Sequence, residues 1–103
     1  MQNQREHLRV PIRAQVTCLA DARSLRGVTW NISQSGIQVE TPELRKKANV
    51  RLTFRLPHSD TIIEAFGAVV WVSGNRNGIK FKQVGTQSQE LIRHFIEEHT
   101  KLS

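Results

Sequence analysis

With 103 residues, 38% of them hydrophobic, the chain is sized for one domain with one modest core. No apolar run approaches the ~20 residues of a membrane-spanning helix, and the polar start Met1-Gln-Asn-Gln-Arg-Glu-His7 lacks the apolar core of a signal peptide, so a cytoplasmic address without membrane insertion is expected. Fifteen Lys and Arg against nine Asp and Glu leave a formal charge of +6, and ten of the cations are arginine. The planar fork of arginine fits phosphates and nucleobases better than an ammonium does, so the charge points to an anionic partner: nucleic acid, a nucleotide or acidic headgroups.

Residues 1–9 carry no usable periodicity and read as a polar arm. From Val10 the pattern alternates, with Val10, Ile12, Ala14, Val16 and Cys18 on one side and Arg13, Gln15 and Thr17 on the other, which predicts a half-buried strand. Asp21-Ala-Arg-Ser24 reads as a turn. Val28, Trp30 and Ile32 alternate with Thr29 and Asn31 in a second strand; Ile37 and Val39 mark a third, ended by Thr41-Pro42. Residues 43–49 form a charged connection. Val50, Leu52, Phe54 and Leu56 define a fourth strand stopped by Pro57. A long fifth strand runs over 61–72, and its apolar phase changes around Gly67, a place for a bulge. Ser73-Gly-Asn-Arg-Asn-Gly78 reads as a hairpin loop ending in Asn-Gly, and Ile79 and Phe81 begin a sixth strand. Leu91, Ile92, Phe95 and Ile96 recur at helical spacing. Thr86 and Gln89 have capping-box spacing, and Glu97 with Lys101 suits an exposed face, so an amphipathic helix is predicted over 86–102. The expected fold is mainly β: a six-stranded antiparallel β-barrel over 10–103 with a C-terminal α-helix, preceded by the arm 1–9.

Catalysis finds little support. The two aspartates, Asp21 and Asp60, fall in predicted turns, and no carboxylate pair has a spacing suited to acid–base work. His94 and His99 are five apart and do not share a helix face as a metal pair would. The single cysteine, Cys18, continues an apolar alternation and reads as a buried, inert thiol. No enzyme activity, metal or resident cofactor is expected. Two constellations remain. Within Trp30-Asn31-Ile32-Ser33-Gln34-Ser35-Gly36-Ile37, the residues Asn31, Ser33 and Gly36 form N-x-S-x-x-G at a strand–turn–strand corner. Two small polar side chains two residues apart share one side of an extended backbone, and glycine permits a positive φ or a close backbone approach. The arm holds Arg5-Glu6-His7-Leu8-Arg9, an R-x-x-x-R that could deliver two guanidinium forks to one anion. Taken singly, the first is an ordinary turn and the second a basic surface arm.

Together, and in this order, the two motifs resemble the PilZ domain family. Gly67-Ala-Val-Val-Trp71 and Asn77-Gly-Ile-Lys-Phe81 resemble its later strands, and a C-terminal helix follows. Many members carry consecutive arginines at the start of the first motif, whereas here Gln4 precedes Arg5. The resemblance implies a six-stranded barrel that binds cyclic di-GMP, a ligand with two phosphates and two guanines. It assigns Arg5 and Arg9 to guanine edge, guanine face or phosphate. Asn31 and Ser33 would supply polar contacts, Gly36 would keep the corner open, and His7, Leu8, Val10 and Trp71 would line the site. It further implies an adaptor whose arm folds over the ligand and signals to an effector protein in motility, biofilm or exopolysaccharide control. Two rival readings are a PilZ-fold interaction module without nucleotide, in pilus or flagellar function, and a small basic barrel that binds RNA or single-stranded DNA. The second needs outward aromatics for base stacking, and Phe54, Phe66, Phe81, Trp30 and Trp71 are expected mostly inward, with no tyrosine present, so nucleic acid is disfavoured.

Overall fold

The computed structural model describes residues 8–100. Seven strands and one helix follow in chain order: β1 (Val10–Pro11), β2 (Gln15–Ala20), β3 (Arg23–Ile32), β4 (Gly36–Glu40), β5 (Asn49–Arg55), β6 (Ile62–Ser73), β7 (Arg76–Val84) and α1 (Thr86–Thr100). All pairings are antiparallel. The order β3-β2-β5-β6-β7-β4 returns from β4 to β3, so six strands close into a barrel, and β1 adds to β3 as a short seventh. The apolar alternation explains the closure. Ile32, Ile37, Leu52, Ile63, Val69 and Ile79 are fully buried inside the barrel, and α1 adds Ile92 and Ile96. Each such side chain contributes about 1.5–3 kcal/mol on burial.

The first predicted strand is split, and one buried hydroxyl explains how. Residues 12–14 kink between β1 and β2. Thr29 on β3 is wholly buried there. Its Oγ1 accepts from the Ala14 N–H (2.8 Å) and donates to the Ile12 carbonyl (2.9 Å). Backbone bonds from Ile12 N–H to Trp30 O (3.1 Å) and from Thr29 N–H to Ala14 O (2.9 Å) hold the two sides of the kink. Val10, Ile12, Val16 and Cys18 therefore stay in the core although the ladder is interrupted.

Turn positions differ from expectation in two places. The first hairpin turns on Asp21-Ala22 alone, both at positive φ (51° and 63°), so β3 starts at Arg23 rather than near Val28. This is the twist a two-residue hairpin requires, achieved without glycine. The β6–β7 hairpin turns on Gly74-Asn75, with Gly74 at φ 62°, whereas Asn77-Gly78 lies inside β7. Gly78 is there because the indole of Trp71 lies directly over it: a Cβ would overlap Trp71 Nε1. Asn77 is buried and donates to the carbonyls of Thr41 (3.1 Å) and Asn75 (3.1 Å), tying the hairpin to the end of β4. The expected irregularity at Gly67 is present as a register shift between Phe66 and Gly67, and a second shift lies between Val69 and Trp71.

The helix begins at Thr86 as predicted, but the capping box does not form: Gln89 Nε2 donates to the Val84 carbonyl (2.9 Å) instead. The predicted Glu97–Lys101 pair extends outside the described residues; on the described face, Arg93 bonds both Glu90 and Glu97.

Candidate functional site

The two sequence motifs meet at one point. β1 pairs Val10 with Ile32 and Pro11 with Asn31, which carries the preceding residue, Arg9, to the outer face of the corner. There Arg9 Nη1 donates to Asn31 Oδ1 at 2.8 Å. This acceptor is a neutral amide oxygen, so the contact orients the guanidinium without cancelling its charge. Partial burial lowers the pKa of Arg9 from its ordinary value, and the group stays protonated at physiological pH. A guanidinium has five N–H donors, which leaves several for an anion or a guanine edge.

Ser33 and Gly36 do a different job from Asn31. β3 ends at Ile32, so the alternation that would place Asn31 and Ser33 on one side stops before Ser33. Ser33 is fully buried. Its N–H donates to the Gly36 carbonyl (2.8 Å), and its Oγ accepts from the N–H groups of Ser35 (3.2 Å) and Gly36 (3.1 Å). Such a hydroxyl-bonded turn fixes the corner. Gly36 has no positive φ; its close backbone approach is to β7, where a Cβ would overlap the Ile79 carbonyl oxygen. Phe81 N–H bonds Ser35 O (2.9 Å) and completes the attachment. Ser33 and Gly36 thus position the corner, and Asn31 is the motif residue that faces outward beside Arg9.

The remaining expected residues separate. Arg5 and His7 lie outside the described residues. Leu8 is exposed. Val10 is buried in the core and does not line the outer face, because its pairing with Ile32 turns it inward. Trp71 does reach that face. The pairings Asn31↔Gln38, Gln38↔Gly78 and Gly78↔Trp71 form one row across β3, β4, β7 and β6. Beside this row the Arg76 guanidinium lies 3.8 Å over the Trp30 ring, and Trp30 Nε1 donates to Glu40 Oε1 (3.0 Å). The sequence reading missed Gln38 and Arg76. Gln38 could have been found as the outward residue between the buried Ile37 and Val39.

The expectation of inward aromatics is overturned for three of them: Trp30, Phe66 and Trp71 are 38%, 43% and 36% exposed, while Phe54 is buried and Phe81 half-buried. The corner also borders a cavity of about 280 Å³ between β7 and α1, whose lining includes Lys80, Lys82, Glu90 and Arg93. Among the described residues no group of His, Cys, Asp and Glu could hold a metal ion, and no helix is long and apolar enough to cross a membrane.

A family model described as the PilZ domain matches residues 3–98. No curated protein matches the chain. Among solved structures, the Bacillus subtilis inhibitor of motility (MotI/DgrA) has a TM-score of 0.78 at 20% identity, over 94% of this chain and 52% of that one. The PilZ domain of YcgR from Escherichia coli, solved with c-di-GMP, has 0.69 at 12% identity, over 97% and 99%. The PilZ domain of CeSA from a cellulose-synthesizing bacterium has 0.66 at 16% identity, over 90% and 98%. The chain spans about half the length of the MotI/DgrA chain and nearly all of the two isolated domains. At these identities the likeness shows a shared fold.

Proposed function

Because this chain belongs to the PilZ domain family, we propose that it is a receptor for cyclic di-GMP, with Arg5 and Arg9 as a clamp and Asn31 as the outward part of a rigid floor. The observation that carries this reading is the 2.8 Å bond from Arg9 to Asn31, which joins the end of R-x-x-x-R to the start of N-x-S-x-x-G. The ligand chemistry fits these groups. The Hoogsteen edge of guanine offers two adjacent acceptors to an arginine fork, and phosphate accepts the same fork bidentately. Asn31 carries both a carbonyl and an amide, so it can hold Arg9 and still donate to a base. Ser33 and Gly36 act through the turn, by keeping Asn31 in place.

On this reading the arm, residues 1–9, closes over the ligand and alters a surface that an effector protein reads, in a cytoplasmic pathway controlling motility, biofilm or exopolysaccharide. The chain acts as a receptor rather than an enzyme. A few charge-assisted hydrogen bonds at ~1.5–3 kcal/mol each, less the cost of ordering the arm, reach the about −8 kcal/mol of a micromolar complex. Titration of the protein with cyclic di-GMP, repeated on Arg5→Ala and Arg9→Ala, tests the assignment. Each substitution is expected to weaken binding about tenfold or more. Absence of binding by the wild type, or unchanged binding by both variants, would overturn it.

A second reading gains from the outward aromatics: a basic barrel that binds single-stranded nucleic acid by stacking. It is less well served by their placement. Phe66 and Trp71 are five residues apart on β6, about 16 Å along a strand, further than successive bases reach. A salt-sensitive, sequence-blind gel shift with no response to cyclic di-GMP would favour it.

A further inference from the structure

We propose that the end of β6, Val70–Ser73, is a docking edge that takes an extended, acidic segment of a partner protein as an added strand. The proposal does not depend on the cyclic dinucleotide reading. β6 is longer than the neighbour it pairs with on one side. β6 runs from Ile62 to Ser73, but its neighbour β5 pairs with it only from Ile62 to Ala68. Val69 is then closed off by the turn before β5, through Lys47 N–H to Val69 O (2.7 Å) and Val69 N–H to Ala48 O (2.9 Å). Beyond Val69, β6 pairs with β7 alone, at Trp71↔Gly78, Val72↔Asn77 and Ser73↔Arg76. Among the described residues its other edge has no strand beside it. In an antiparallel ladder successive residues turn their N–H and C=O to opposite neighbours. Ser73 and Arg76 flank the two-residue turn and bond each other, so Val72 aims its backbone groups at the open side.

Sheet edges in soluble proteins are normally blunted by charged side chains or proline on the strand itself, by a bulge or by a covering element. This one reads Val-Trp-Val-Ser, with Val70 45% and Val72 40% exposed. Such an edge offers backbone hydrogen bonds for affinity and apolar side chains for specificity, the two ingredients of strand addition. The register shift leaves Val70 without a partner on β7, and pairing resumes at Trp71↔Gly78, so the direction of Val72, set from the hairpin turn, is unaffected by it.

Charge selects the occupant. The turn that abuts Val69 carries Arg45, Lys46 and Lys47, all exposed. A strand laid along Val70–Ser73 would run past these cations, so carboxylates at its flank are favoured and cations disfavoured. A second copy of this chain is a poorer fit. Antiparallel self-pairing about Val72 would bring its Gly74-Asn75-Arg76 tip toward Lys47, with a cation and no carboxylate. The occupant is therefore a segment of another protein, extended and apolar on alternate positions, with acidic residues between them.

The test uses the full chain, labelled with nitrogen-15, and two synthetic peptides, one alternating Val and Glu and one alternating Val and Lys. The Val/Glu peptide is expected to shift the amide resonances of Val70, Val72 and Ser73 and to slow exchange of the Val72 amide by about tenfold or more; the Val/Lys peptide is not. Reversing the flank with Lys46→Glu and Lys47→Glu should weaken the Val/Glu peptide by about tenfold. Val72→Pro removes the outward donor without touching a bond to β7, so it should abolish binding with the circular dichroism of the barrel intact. No perturbation at Val70–Ser73, equal binding of both peptides, or a concentration-dependent homodimer that protects the Val72 amide would each overturn the proposal.

Discussion

Replacing Thr29 with valine keeps the size and β-branching of the side chain and removes one hydroxyl. In the wild type that hydroxyl joins the Ala14 N–H at 2.8 Å and the Ile12 carbonyl at 2.9 Å, inside the kink between β1 and β2. Thr29→Val leaves a donor and an acceptor without this partner where Thr29 itself has no solvent exposure. Each stranded group costs about 1–3 kcal/mol, and the methyl that replaces the hydroxyl returns about 0.8 kcal/mol, so a net loss of about 1–5 kcal/mol is expected. A domain of this size has ~5–15 kcal/mol in total, so the loss would be plain in a urea titration followed by tryptophan fluorescence, at an unchanged m-value. Thr29→Ser is the control: it keeps both bonds, loses one buried methyl, and should cost only about 1 kcal/mol. If Thr29→Val unfolds within about 0.5 kcal/mol of the wild type, or if serine is as damaging as valine, the hydroxyl does not hold the kink.

Three further substitutions probe the frame around the site. Ala22 sits at φ 63° in the first hairpin turn, so Ala22→Gly should raise stability by about 1 kcal/mol in the same urea assay by relieving a left-handed alanine. At Gly36 an added methyl meets the Ile79 backbone carbonyl, which cannot rotate away; Gly36→Ala should cost about 1–3 kcal/mol without any ligand present. Burial raises the Cys18 thiol from 9.0 to about 11. A thiol whose pKa is higher folded than unfolded contributes stability that is complete below pH 9.0 and lost as the pH rises toward about 11. A Cys18→Val variant should show a smaller fall in stability over that range than the wild type, and in the native wild type a thiol reagent should label Cys18 only at the rate of unfolding.

Much of the barrel could be read because period two survives bulges. Val16, Cys18, Leu52, Phe54, Ile37 and Val39 all point inward where alternation puts them. Sidedness was lost where the run is continuously apolar: Val69-Val70-Trp71-Val72 offers no alternation, and the register shift there turns Trp71 outward. The Asn77-Gly78 pair has the composition of a turn, but its glycine answers a tertiary demand, the Trp71 indole, that no local pattern encodes. The same limit applies at the corner. N-x-S-x-x-G was legible as a motif, yet the different tasks of Asn31 and Ser33 depend on β3 ending at Ile32, between them. The meeting of Arg9 with Asn31 rests on a two-residue strand, β1, too short to be seen apart from β2 in the sequence.

The most direct test of the central claim is a map of backbone amide shifts as cyclic di-GMP is added to the nitrogen-15-labelled protein. Saturable shifts are expected at Arg9 and from Asn31 to Ile37, spreading to Gln38, Gly78 and Trp71 along their row, while the hairpin around Asp21-Ala22 and the outer surface of Arg51 and Phe66 stay unmoved. Shifts confined to that opposite surface, or none at all at saturating dinucleotide, would contradict the claim.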